Sequence, residues 1–142
     1  MSEMQLTLFT DIALKAIMYL KQSSDLVTID EIATKFAVPR NHLIKVLNFM
    51  VHQQWIGSVR GRNGGLFYNL SSDSLKLGET IMILESRDEL LDCNACILHA
   101  NCDLRSMLRG AVNAFYGYLN QYTLKDLNGQ HTTAFINLLI KK

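Results

Sequence analysis

The three cysteines of this chain, Cys93, Cys96 and Cys102, fall within ten residues, two residues separating the first pair and five the second. Soft thiolates this close together suit an iron-sulfur cluster or zinc, because each sulfur offsets metal charge and a short loop can aim them at one point. Either centre ordinarily takes four ligands. The fourth corner therefore comes from a residue elsewhere, a small molecule or an open position, and reactivity would reside there. Two other chemistries use the same stretch. His99 falls at three-residue steps with the cysteines, which makes a three-cysteine, one-histidine zinc site the alternative. Cys93 and Cys96 could also form a thiol oxidoreductase pair, but no substrate cradle, nucleotide loop or second acid-base group accompanies them, so the pattern argues against an enzyme.

A second chemistry lies in the cations. The formal net charge is only +1, which decides nothing by itself. Its distribution says more: residues 40–70 hold Arg40, Lys45, Arg60 and Arg62 with no carboxylate, between two acidic stretches. Asn41, His42 and Asn48 interleave with the first two of these. Asparagine pairs well with adenine, and cations with guanine or phosphate, so this set reads as a duplex-binding surface. Arg60 and Arg62 flank Gly61, and Gly64-Gly65 follow, which lets guanidinium groups and bare backbone approach phosphates closely.

These residues need elements to position them. Phe9, Ile12, Ala13, Ala16, Ile17 and Leu20 share one face of a helix; Asp11 and Lys15 lie on the other, spaced for an i, i+4 ion pair worth about 0.3–0.5 kcal/mol. Thr28 and Glu31 have the form of a capping box opening a short helix through Phe36. Ala37-Val38 is then a turn, and Pro39, the only proline, suits the first position of a helix. That helix turns Leu43, Val46, Leu47 and Met50 inward and its polar set outward: a helix-turn-helix. Residues 55–59, 60–65 and 66–70 read as strand, glycine-rich turn and strand, a β wing. After a break at 71–74, a helix over 77–85 leads through an acidic segment to the cysteines.

Beyond them, Leu104, Met107, Leu108, Ala111, Val112, Phe115, Tyr118, Leu119 and Tyr122 hold one apolar stripe for some five turns. One small domain cannot cover such a stripe, which predicts a symmetric homodimer. Residues 134–140 add a last helical segment. The expected fold is mainly α with a small β wing: a winged helix-turn-helix domain at 1–76, a linker helix and cysteine loop at 77–102, and a dimerisation helix with C-terminal segment at 103–142. With 49% apolar residues, the chain can build a core. Asp11 and Lys15 interrupt the opening apolar pattern and no run approaches a membrane span, which points to a cytoplasmic protein, where reducing conditions keep thiols available as ligands.

Several stretches together resemble the NsrR and IscR family of bacterial iron-sulfur transcription regulators, and within it the nitric-oxide-sensing branch. They are Met4-Gln5-Leu6-Thr7-Leu8-Phe9-Thr10-Asp11, Val38-Pro39-Arg40-Asn41-His42-Leu43-Ile44-Lys45-Val46, residues 60–65, the cysteine loop, and Tyr122-Thr123-Leu124-Lys125-Asp126-Leu127. The resemblance implies a homodimeric winged-helix repressor with an iron-sulfur cluster, 4Fe-4S or 2Fe-2S, held by Cys93, Cys96 and Cys102. It also implies Asp11 of the partner subunit as fourth ligand, and release from operator DNA on exposure to nitric oxide. A sister branch of the family would sense iron-sulfur status or redox state with the same module. One departure stands out: the family commonly leaves a wider gap between its first two cysteines than the two residues found here.

Overall fold

A computed structural model describes residues 5–86, 94–99 and 101–140. Cys93 and the acidic segment at 87–92 lie outside the described residues. The order is α1 (Leu8–Gln22), α2 (Ile29–Phe36), α3 (Arg40–His52), β1 (Ile56–Val59), β2 (Gly65–Tyr68), a first 3-10 turn (Leu70–Ser74), α4 (Leu77–Glu85), α5 (Asp103–Leu119), a second 3-10 turn (Leu124–Leu127) and α6 (Gln130–Ile140). The chain is mainly helical with one two-stranded sheet.

The winged half is built around α1. Its start is closed by Thr7, whose hydroxyl accepts the Thr10 amide at 3.3 Å. The face expected from periodicity is buried, with Phe9 only half-buried and Tyr19 fully enclosed in addition. Tyr19 explains why the capping box of α2 is half made. The Thr28 hydroxyl accepts the Glu31 amide at 3.1 Å as expected, but the Glu31 carboxylate turns away to accept the Tyr19 hydroxyl. A phenol buried without a partner is costly, whereas an exposed cap amide can be served by water, so the distant partner prevails. Ala37 ends α2 in the left-handed region, at φ 51°. Pro39 is the N-cap of α3 rather than its first helical residue, its carbonyl accepting the Leu43 amide at 3.1 Å.

Leu43, Val46, Leu47 and Met50 of α3 are buried as predicted, each contributing about 1.5–3 kcal/mol by leaving water. They pack on α1 and α2. An edge-on aromatic chain, Phe9 to Phe49 (5.4 Å) and Phe49 to Trp55 (6.0 Å), continues this core toward the wing. The strands pair antiparallel from Ile56 with Tyr68 to Val59 with Gly65, and Val27 adds a one-residue rung against Leu66 (3.0 and 2.8 Å). The second strand stops at Tyr68, two residues short of the expected end; Leu70, 78% exposed, opens the 3-10 turn instead.

In the C-terminal half, α4 packs against both α1 and α5, and α6 against α1. The long helix ends at Leu119, so Tyr122 lies in the turn beyond it, its ring 6.0 Å from that of Tyr118. The final helix begins at Gln130, earlier than expected. Among the described residues, no helix is long and apolar enough to cross a membrane.

Candidate nucleic-acid interface and cysteine loop

On α3, Asn41, His42, Lys45 and Asn48 are all exposed, opposite the buried row. A helix anchored by four apolar side chains thus offers a continuous amide and cationic face. Arg40 stands at its start, its Nε 2.8 Å from Asp30 Oδ1 on α2. With side chains 56% and 75% exposed, this pair is worth at most about 1 kcal/mol, little enough for a phosphate to replace the carboxylate. Asp30 was not singled out from sequence, although Thr28-Ile29-Asp30 at a helix start is a signal for it.

Arg60 and Arg62 project from the wing, both exposed. Between them Gly61 adopts φ +97°, and its carbonyl accepts the Gly64 amide at 3.0 Å. A Cβ on Gly64 would lie 2.1 Å from the Val59 carbonyl oxygen. The tight tip therefore requires glycine there, and it holds the two guanidinium-bearing residues on either side of a single turn.

In the described part of the cysteine loop, the Cys96 carbonyl accepts the His99 amide (3.1 Å) and the Leu98 carbonyl the Asn101 amide (2.9 Å). Cys96 is exposed and Cys102 half-buried. Cys102 is also the N-cap of α5, its Sγ accepting the Arg105 amide at 3.4 Å, while Arg105 Nη1 donates to the His99 carbonyl at 3.3 Å. An electron-rich sulfur meeting the positive end of a 17-residue helix fits a thiolate ligand. Among the described residues no three histidine, cysteine or carboxylate side chains converge on one point; Cys93 lies outside them. Asp11 takes the bland option within its own chain, pairing with Lys15 at 2.8 Å with side chains about half exposed.

Sequence reasoning missed Glu85. This carboxylate, 6% exposed, accepts the Thr7 amide (2.8 Å), the Thr7 hydroxyl (2.7 Å) and the Thr10 hydroxyl (2.5 Å). Hydrogen bonds to a charged acceptor are worth about 1.5–3 kcal/mol each, set against the cost of burying the charge. The latch ties the first turn of α1, which presents Asp11, to the last residue of α4, from which the chain runs on toward the cysteines. Its partners are 75 to 78 residues apart, so no local pattern announces it.

The chain is similar to several known proteins. The Rrf2 family, described as iron-dependent transcriptional regulators, matches residues 6–130. The HTH-type transcriptional regulator NsrR of Bacillus licheniformis is 35% identical over 131 residues, covering 87% of this chain and 92% of that protein. Among solved structures, a transcriptional regulator from Lactobacillus plantarum superposes with a TM-score of 0.69 at 18% identity, covering 95% of this chain and 99% of that one. IscR of T. potens superposes with a TM-score of 0.68 at 17% identity, covering 87% and 85%. These two show the shared winged fold. On the strength of the family match and the near full-length relative, the chain is a transcriptional regulator, not an enzyme, and it belongs to the Rrf2 family.

Proposed function

We propose that this protein is a homodimeric, DNA-binding repressor that senses nitric oxide through an iron-sulfur cluster. The observation that carries the reading is a junction: Cys102, a thiol of the cysteine loop, is also the cap of the helix whose outer face is left uncovered. Leu104, Met107, Phe115, Tyr118 and Tyr122 are 53%, 70%, 48%, 59% and 40% exposed, while Val112, Tyr116 and Leu119 turn toward the chain's own core. Within α5, Leu104, Met107, Ala111, Phe115 and Tyr118 are exposed at steps of three and four, the spacing of a helix that seats a second copy. We divide the chain accordingly into a DNA-binding part (1–76), a linker with the cysteine loop (77–102) and a dimerisation part (103–142).

Cys93, Cys96 and Cys102 would hold the cluster, with Asp11 of the partner subunit as fourth ligand. When bound, the cluster supplies iron that reacts with nitric oxide. Asp11 must leave Lys15 to reach it, which costs only about 0.3–0.5 kcal/mol. A hard carboxylate on a soft-sulfur centre is a replaceable ligand. Asp11 would hold the cluster from α1, on which α3 packs, so the placement of α3 relative to its counterpart would depend on whether that ligand is made. Two recognition helices must meet grooves about 34 Å apart, so a coupling of about 1–3 kcal/mol would change affinity about 5 to 150-fold. Arg40, Asn41, His42, Lys45 and Asn48 take the groove, and Arg60 and Arg62 set the wing.

The 35% identity to an NsrR supports this reading over the iron-sulfur-status branch. The experiment is anaerobic purification, metal and sulfide analysis, absorption spectra, and operator binding before and after nitric oxide. Coloured protein that releases DNA on nitric oxide supports the reading. Release on redox titration alone would favour the sister branch, and colourless protein with one zinc per chain would favour the site including His99.

A further inference from the structure

The segment Tyr122-Thr123-Leu124-Lys125-Asp126-Leu127 has no part in the DNA surface or the cysteine loop. It is where the C-terminal helices are fastened to the winged half. Thr123 and Asp126 close a capping box, the Asp126 carboxylate accepting the Thr123 amide at 2.9 Å. The Leu77 amide donates to the Tyr122 carbonyl (2.9 Å) and the Leu124 amide to the Leu75 carbonyl (3.0 Å). Leu124 is fully buried, and its own carbonyl accepts the ammonium of Lys21, from the last turn of α1. The same Nζ lies 3.9 Å from Asp73 Oδ1 and 5.6 Å from the centroid of the Tyr68 ring. Tyr68, the last residue of β2, donates its hydroxyl to Asp73 at 2.7 Å. One ammonium thus touches the base of the wing, the first 3-10 turn and the segment after α5.

Ion-pair stability alone does not explain it. The Lys21 side chain is 9% exposed, and its carboxylate partner sits at the outer limit of an ion pair. Burial pulls the ammonium below the usual lysine range, against the opposing pull of Asp73 and Asp126. Removing the ammonium would take a donor from the carbonyl of the buried Leu124, while sparing the desolvation of a charge. What the charge adds is direction. An ammonium has three donors, and carbonyl, carboxylate and ring face can be served together only from one place.

We propose that Lys21 is a positioning residue for DNA binding: it joins the base of the wing to the segment that follows α5, so that the attitude of the wing on DNA follows the placement of α5. This rests on the reading of the wing as a DNA contact and is independent of the cluster.

The test is Lys21→Met in the full chain, with Lys21→Arg as the conservative variant, each made alone and with the wing pair Arg60→Ala and Arg62→Ala. The readouts are thermal unfolding, association state, and affinity for operator duplex. Lys21→Met is expected to unfold at a modestly lower temperature with unchanged association and, measured well below that temperature, to bind DNA about tenfold more weakly, as for groups coupled in one network. In that background the wing substitutions should cost much less than in the parent, and Lys21→Arg should restore most of the affinity. An undiminished wing penalty in Lys21→Met, or an affinity loss matched by lost folding, overturns the proposal. If the wing substitutions cost nothing in the parent, the wing reading itself fails, and the proposal with it. Should Lys21→Met not fold, Tyr68→Phe answers the same question, because it removes only the phenol-to-Asp73 bond; a full wing penalty there is equally fatal.

Discussion

The winged half and the long helix treat apolar surface in opposite ways. On α3 every apolar anchor is buried and the polar residues face outward, so that face is finished within one chain and its chemistry is free to meet a ligand. On α5 only Tyr116 is fully buried, while Phe115 and Tyr118 on either side are 48% and 59% exposed. That helix leaves one face uncovered within the chain. The difference teaches where regulation can enter. In the function proposed above, the finished DNA-binding unit keeps its shape while its spacing from a second copy would change, through the uncovered helix and the thiol that caps it.

The strongest way to break this comparison is to put charge on the uncovered stripe. Phe115→Glu should leave helical content intact by circular dichroism, yet give monomers in sedimentation. It should weaken binding to a two-half-site operator by about a hundredfold or more as the second attachment is lost. A variant that still sediments as the parent does would mean the stripe is not the contact. Next in size, Cys93→Ser should keep the fold and lose iron, and DNA affinity should no longer respond to nitric oxide, removing a coupling of about 5 to 150-fold. Normal repression and response in that variant would remove the cysteine loop from the mechanism.

Glu85→Ala addresses the seam between the two regions. Leaving the Thr7 amide and the Thr10 hydroxyl without their acceptor should lower unfolding free energy by about 1–3 kcal/mol in urea, with Thr10→Val losing part of that. A variant as stable as the parent would show that the latch is not holding α1 to α4. For the finished surface, three or four cations per subunit on phosphates predict that log affinity falls against log salt with a slope of about −5 to −7 in the dimer. Arg62→Ala should flatten that slope by about 2, one contact in each subunit. A salt-insensitive complex would contradict the assignment. The smallest expected stability effect is that of Asp11→Asn, about 0.3–0.5 kcal/mol from a half-exposed i, i+4 pair. Cluster retention, read by absorption under anaerobic conditions, should nonetheless fall in that variant, separating a ligand role from a structural one.

The inward row of α3, the glycine-bound wing tip and the exposed polar face of the recognition helix were all legible in the sequence, because each depends on residues within one helical turn or one hairpin. The apolar stripe of α5 was legible as a stripe but not as two faces. Which of its members meet the chain's own core depends on where α4 lies, and Tyr116, buried beside exposed Phe115, was not among the residues picked out. The capping box expected at Thr28 is half realised, since Tyr19, twelve residues before Glu31, competes for the same carboxylate. The box that does form, at Thr123 and Asp126, has no such competitor for Asp126 among the described hydrogen bonds.

Periodicity, spacing and residue type alone determined that this chain is mainly helical with a small β wing, since local steric and hydrophobic preferences repeat every few residues and survive without context. Only the tertiary structure decided the roles of Glu85 and Lys21. Each is a buried charge with a partner far away in the chain, Glu85 78 residues from Thr7 and Lys21 103 residues from Leu124, and such groups are stable only where the fold brings several polar atoms together around them.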